Sequence, residues 1–393
     1  MVSGLLLMVA ALAGMSITGM GGAEAQAWPT IRGAALRSVD FRDLKGWADD
    51  RHEDAFAAFR LGCASPPPLR AGLAAPPELD MACKAALALA NPGRAEARAF
   101  FETHFQPLRV APEAGGGFLT GYFEPEFEGS IRREEGYPTP LYGRPTDLVT
   151  LDQGQAAPGL GALQAARRLP DGSLAAYPVR AEIDEGSVAR DWPVVAWLRD
   201  PVDRFVMQVQ GSARLRLPDG STARIAYAGR NGHPYVSLGR LLSQEENIPP
   251  AEMTMDRLVA RLKADPAWAR SFIARNPSFV FFRLAGELGA DQGPIGGAGV
   301  PLTPHRSIAA DRTLWPYGLP AWLSGEIPTR DRGRVEPLAR LAIIQDTGSA
   351  IVGPARFDLF FGSGPEAGFV AGLTRHGVEA TILWPRSPGP GRP

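Results

Sequence analysis

Apolar positions between residues 40 and 61 recur at mixed three- and four-residue steps, with Trp47, Ala55, Phe56 and Phe59 among them, which predicts an amphipathic helix. Pro66–Pro68 and Pro76-Pro77 interrupt that pattern, and two further helices are expected over 77–90 and 93–105, separated by an Asn91-Pro92-Gly93 turn. From Gly115 the period changes. Residues 118–123 read as a strand ended by Glu124-Pro125, and short strands and turns are expected from there to about 235. Within that stretch 193–198 and 205–210 alternate or run apolar, and 213–217 with 222–227 form a hairpin around Pro218-Asp219-Gly220. Helical spacing returns over 236–272, followed by a buried strand at 278–282. Beyond Pro301 short strands and glycines dominate as far as Trp384-Pro385, and the Pro/Gly/Ser/Arg tail at 386–393 is expected to be disordered. No internal repeat is evident. A helical N-terminal part and a C-terminal β part thus flank a central β segment, and a cleft between an insert and its host is a usual place for a substrate.

The 393 residues, 45% hydrophobic and 21% charged, suffice for two or three domains. A formal net charge of −1 does not favour nucleic acid as a partner. Residues 1–27 read as a secretion signal: a short apolar run from Leu5 to Ala13, then small residues ending in Ala25-Gln26-Ala27. Its leading segment lacks Lys and Arg, so an uncleaved N-terminal helix is the alternative. The two cysteines, Cys63 and Cys83, could form one disulfide in an exported protein or remain thiols. Five scattered histidines lack ligand spacing, so neither a metal nor another cofactor is expected.

The chemistry concentrates in residues 345–364, where Asp346 and Asp358 stand among apolar and glycine residues. A carboxylate stripped of water is harder to ionise, and a raised pKa suits a general acid near neutral pH. Asp346-Thr347-Gly348-Ser349 matches the local pattern of an aspartic protease, but a single-chain enzyme of that kind needs a second such loop, and none occurs. Cleavage of a glycan by paired carboxylates is the stronger reading, with Asp311 as a third acidic position. An Asp before Thr-Gly also commonly serves a turn by accepting backbone N–H groups. Asp358 is less easily explained that way, because burying an Asp in the run Phe357–Phe361 is costly without a role.

An ordered set of motifs carries a family resemblance. It comprises Gly121-Tyr122-Phe123-Glu124-Pro125, Tyr137-Pro138-Thr139-Pro140-Leu141-Tyr142, Val209-Gln210-Gly211-Ser212-Ala213, Tyr227 to Tyr235, Asn276 to Phe282, Val300 to Thr303, Ser307 to Arg312, Asp346 to Ile351, Phe357-Asp358-Leu359-Phe360 and Gly362 to Ala367. Over roughly residues 115–384 the chain resembles the membrane-bound lytic murein transglycosylase A family, whose C-terminal 3D domain is named for three aspartates, here Asp311, Asp346 and Asp358. The resemblance implies an α+β fold that is mainly β with a helical N-terminal part. A double-psi β-barrel host (28–127 and 280–385) would carry an inserted smaller β-barrel domain (128–279), with the substrate groove between them. It implies non-hydrolytic cleavage of the β-1,4 bond between N-acetylmuramic acid and N-acetylglucosamine, leaving 1,6-anhydro ends. Asp358 would be the single acid and base and Asp346 its electrostatic neighbour. Gly121, Tyr122, Phe123, Gln210, Gly211, Ser212, Tyr227, Asn231, Gly232 and Asp311 would contact substrate. Core packing is the alternative for Tyr122 or Phe123, turn geometry for Gly232, and a structural role is expected for His233. The expected partners are peptidoglycan strands, with cell-wall synthesis or division proteins as candidates, and the protein is expected to be a periplasmic monomer. No lipidation cysteine follows the apolar run, so an outer-membrane anchor is not indicated. A wall-binding module without catalysis is the competing class, disfavoured because binding needs aromatic faces more than a desolvated acid.

Overall fold

The structure, a computed structural model, describes residues 28–64, 72–151, 159–161, 163–186, 188–286, 288–289, 292–331 and 333–387. The expected leader (1–27) and most of the expected tail (388–393) lie outside the described residues. Arg386 and Ser387, expected within the loose tail, are bonded: the Arg386 amide donates to His104 O and Ser387 Oγ to Glu78.

The N-terminal part runs β1 (Ala34–Ser38), α1 (His52–Cys63), α2 (Pro77–Ala88), α3 (Arg94–His104), β2 (Phe105–Pro112) and β3 (Gly117–Glu124). The helix expected over 40–61 begins only at His52. Two 3-10 turns, Phe41–Asp43 and Trp47–Asp49, precede it, because the chain takes a left-handed conformation at Gly46 that no right-handed helix accommodates. Within α1, His52, Ala55, Phe56, Ala58 and Phe59 form the buried stripe that packs on the barrel core. A disulfide between Cys63 and Cys83 ties its end to α2, which resolves the choice the sequence left open. Asp50, just before α1, accepts two hydrogen bonds from the Arg306 guanidinium at 2.8 and 3.0 Å and one from the Leu341 amide, fastening this part to the barrel.

The middle of the chain forms β4 (Glu126–Ser130), β5 (Thr139–Tyr142), β6 (Leu148–Thr150), β7 (Ala165–Arg168), β8 (Leu174–Ala176), α4 (Arg180–Asp184), β9 (Val194–Leu198) and α5 (Pro201–Gln210). It continues through β10 (Ser212–Arg216), β11 (Thr222–Arg230), α6 (Leu238–Glu245), α7 (Met255–Ala264), α8 (Pro266–Ala274) and β12 (Val280–Leu284). Residues 205–210, expected in the strand-rich stretch, are helical. Asp200 caps the Val202 amide, Pro201 occupies the first helical position, and Gly211 closes the helix in a left-handed conformation. These end signals outweigh the local apolar alternation, and Val202, Phe205 and Val206 pack against α6–α8. Strands β12-β11-β10-β4-β9-β5 make one six-stranded sheet, and a bridge between Gly143 and Phe282 brings its two ends together. Both β4 and β12 belong to this sheet, so by strand pairing the chain enters the insert at Pro125 and leaves after Leu284.

The C-terminal part contributes β13 (Ser307–Ala309), β14 (Pro320–Pro328), β15 (Val335–Asp346), β16 (Arg356–Ser363), α9 (Gly364–Leu373) and β17 (Arg375–Pro385). The order β17-β14-β15-β13-β16-β3, closed by pairing of β3 with β17, is a six-stranded barrel, and β2 and β1 extend it from β17. The mainly β, α+β architecture with a barrel host and an inserted β unit is therefore present. Helix α9 was not expected in this glycine-rich segment. Its small residues disguise the helical period, but they are what lets it lie against β3: a Cβ on Gly121 would come within 2.7 Å of Ala371 Cα and 2.6 Å of the Phe361 ring. No helix among the described residues is long and apolar enough to cross a membrane.

Candidate active site

Three strands build the acidic centre. On β13, Ala309 pairs with Asp346 of β15 on one side and with Asp358 of β16 on the other. The two aspartates thus sit two strand spacings apart, roughly 9–10 Å between backbones. On its far side Asp358 pairs with Thr120 of β3 in parallel register. Along β16, Phe357 and Leu359 turn into the barrel core while Arg356 and Asp358 stay half-buried on the opposite face, as the two-residue strand period requires.

Asp358 Oδ1 accepts a hydrogen bond from Thr120 Oγ1 at 2.5 Å. Burial pushes its carboxyl up to about 6, and the charge of Asp346 adds to the rise; the Thr120 bond and the Arg356 guanidinium pull the other way. Desolvation is thus the dominant effect, and it leaves a carboxyl group that can hold a proton close to neutrality. Arg356 donates to the carbonyl of Phe357 and lies over the Phe118 ring.

Asp346 is held differently. Its Oδ1 accepts the Gly297 amide at 2.8 Å and its Oδ2 the Tyr122 hydroxyl at 3.1 Å. It does accept backbone N–H, as a turn aspartate would, but from a loop 49 residues away. The centre therefore holds two unequal carboxyl groups, Asp358 with its pKa raised and one side-chain donor, Asp346 with two donors.

The other expected site residues fall into two groups. Tyr122 joins the centre through its hydroxyl, and its ring lies 5.3 Å from that of Phe360. The Phe123 amide donates to Gln210 Oε1 at 3.3 Å, so Gln210, at the end of α5, meets the barrel directly; Gly211 closes that helix and Ser212 begins β10. Gly121 is a packing glycine under α9. Tyr227 lies on β11 opposite Phe282, within the insert's sheet.

Asn231, Gly232 and Asp311 are engaged within the fold itself. Asn231 is fully buried, donates to the carbonyls of Pro178 and Pro277, and accepts the Phe279 amide; it holds the insert's own loops together. Gly232 has a left-handed backbone, and a Cβ there would come within 2.3 Å of the Ala165 amide nitrogen. Asp311 is 4% exposed. Its Oδ1 accepts the Thr313 amide and hydroxyl, and its Oδ2 the Gly353 amide, so it braces the loop leading into β16. His233 bonds the Tyr177 carbonyl, in keeping with the expected structural role.

Sequence reasoning missed Thr120, Gly297 and Arg356. Thr120 stood in a strand already recognised, beside the Gly121 motif, but only the pairing of β3 with β16 reveals its partner. Nothing in the sequence marked Gly297.

Comparison with known proteins agrees with this architecture. The family model described as the MltA specific insert domain matches residues 118–283, and that of the 3D domain matches residues 306–384. The chain is 32% identical to the membrane-bound lytic murein transglycosylase A of Escherichia coli, the match covering 72% of this chain and 70% of that protein. It is 31% identical to the protein of the same name from Vibrio cholerae, the match covering 68% of this chain and 66% of its relative. The crystal structure of a membrane-bound lytic murein transglycosylase from Agrobacterium tumefaciens superposes with a TM-score of 0.79 at 36% identity, covering 90% of this chain and 98% of the other. That of MltA from Neisseria gonorrhoeae, in a monoclinic form, gives a TM-score of 0.74 at 30% identity, over 95% and 97% of the two chains.

Proposed function

Since the chain belongs to the membrane-bound lytic murein transglycosylase A family, we propose that it is a peptidoglycan lytic transglycosylase acting at the cell envelope, with residues 126–284 as an insert in a barrel host. It cuts the β-1,4 bond between N-acetylmuramic acid and N-acetylglucosamine and leaves 1,6-anhydromuramic acid ends. One observation carries the reading: a protonatable carboxyl group on Asp358, raised to about 6, beside a second carboxylate held by hydrogen-bond donors.

The chemistry needs one group that first gives and then takes a proton. Asp358 protonates the glycosidic oxygen as the bond to C1 breaks. The C6 hydroxyl of the same muramic acid closes on C1, and its proton returns to Asp358. No water is consumed and the acid is regenerated. The nucleophile is tethered to the carbon it attacks, so its effective concentration is high. This also removes the need for a protein nucleophile, and for the close carboxylate pair of a retaining glycosidase. Asp346 supports the step by its charge, which favours the protonated form of Asp358 and opposes the positive charge that develops at C1. Tyr122 and Gln210 are the groove side chains best placed to meet sugar.

Mass spectrometry of digested sacculi tests the reading. Anhydro products appear about 18 Da below their hydrolysed counterparts, one water lighter. Hydrolysed reducing ends instead would make the protein a muramidase, and sacculi left intact would make it a wall-binding module.

A further inference from the structure

Glu124 is the last residue of β3, at the point where the chain leaves the barrel for the insert. It is 1% exposed, an unusual setting for a carboxylate. Its Oε2 accepts from Ser363 Oγ at 2.7 Å and from Arg214 Nε at 2.7 Å, and the Arg224 guanidinium lies 3.9 Å away. Ser363 ends β16, the strand that carries Asp358, and directly precedes α9. Arg214 and Arg224 belong to β10 and β11 of the insert. The same two arginines also hold the returning chain: Arg214 Nη2 and Arg224 Nη2 donate to Gln292 O at 3.3 and 2.6 Å, and Arg224 Nη1 to Gly293 O at 3.2 Å. One buried carboxylate thus joins the outgoing strand, the acid-bearing strand and two insert strands, and its arginines clamp the return crossing.

We propose that Glu124 is a positioning residue that fixes the insert against the acid-bearing strand. This rests on the transglycosylase reading above. The hydrogen-bond and ion-pair partners of Glu124 are Ser363, Arg214 and Arg224, and neither acid is among them. Two residues before Ser212, Gln210 receives the Phe123 amide, so Glu124 and Gln210 hold adjacent residues of β3 to adjoining elements of the insert. A second tether comes from β17, where Arg375 Nη1 donates to the carbonyls of Pro250 and Met253 at 2.9 and 3.0 Å. Two separated tethers define an angle where one leaves a pivot. Releasing the Glu124 tether frees the Gln210 wall to swing relative to Asp358, and misplacement on the ångström scale is enough to weaken binding and catalysis together.

The test compares Glu124→Leu, Glu124→Gln and the double variant Glu124→Leu/Arg214→Leu on solubilised glycan strands. Glu124→Leu is expected to raise KM about tenfold while the pH midpoint of the rate stays in place, since Asp358 keeps its own surroundings. Glu124→Gln retains an acceptor for Ser363 and is expected to lie between it and the parent; it also carries the test if the leucine variant does not fold. The double variant also removes the Arg214 charge that Glu124 balances, and is expected to recover thermal stability but not KM. Parental KM in Glu124→Leu, or full recovery of KM in the double variant, overturns the proposal, the latter because only the unbalanced charge would then have mattered. Hydrogen exchange reads the joint without substrate: amides of β10 are expected to exchange about tenfold faster in the Glu124→Leu protein, with those of β14 and β15 unchanged. If the parent cuts no glycan, the transglycosylase reading fails by itself, and unchanged β10 exchange still refutes the tether.

Discussion

Thr120 Oγ1 and Asp358 Oδ1 meet at 2.5 Å although 238 positions separate them in the chain. The bond favours the ionised carboxylate and so works against the burial that raises Asp358. Thr120→Val removes it and keeps the shape of the side chain. Asp358 then titrates at higher pH, and the alkaline limb of the rate profile moves up with it. The rate itself falls, by about tenfold, because the carboxyl is less firmly aimed. The pH dependence of kcat/KM measures both effects; an unmoved limb would remove Thr120 from the mechanism.

General acid chemistry requires the proton on Asp358, so activity is expected to decline as the pH rises through about 6. Asp358→Asn should lose activity by about 10²- to 10⁴-fold, the range that one acid–base group typically supplies. Release of anhydro products from sacculi at near-parental rates by this variant would show that another residue is the acid.

Asp346→Asn takes away the negative charge that helps hold the proton on Asp358. The alkaline limb therefore moves toward acid, opposite to the shift expected for Thr120→Val. The two variants act on the same group with opposite sign, and side-by-side profiles would expose any effect that merely reflects damage to the fold.

The raised group also makes a stability prediction. Asp358 binds its proton more tightly in the folded protein, at about 6, than in the unfolded chain, where the ordinary value is 3.8. Below the unfolded value both states are protonated and the group costs nothing. The cost grows between the two values and is complete above the higher one. Asp358→Asn should thus be more stable than the parent by about 1–2 kcal/mol above neutrality, allowing for partial exposure, with the gap closing as pH falls toward 4. Denaturant melts across that range measure it.

The Cys63–Cys83 bridge closes a loop whose ends are 20 positions apart, joining α1 to α2. Its removal by Cys63→Ser with Cys83→Ser is expected to cost about 3 kcal/mol. The acid centre lies on other elements, so the specific activity of the folded fraction should not change. Thermal melts paired with activity at low temperature separate the two.

The sequence by itself determined the change of period along the chain, and therefore a helical start, a β insert and a β end. It also singled out Asp346 and Asp358, because an ionisable residue inside an apolar run has a desolvation cost that is readable in one dimension. The DG hairpin joining β10 to β11 was legible for the same reason, since its turn is a local matter. What the sequence could not decide was pairing. Asp311 shares the apolar approach of the other two aspartates, yet its oxygens are taken up by Thr313 and Gly353, so it serves as a brace. Asn231 belongs to a motif but is consumed by carbonyls 46 and 53 positions away. Thr120 looked like any strand threonine until β3 lay beside β16. Hydrogen bonds between strands link residues through register rather than through proximity in the chain. Which donors hold each acid, and which threonine bonds Asp358, were therefore decided only when the barrel closed.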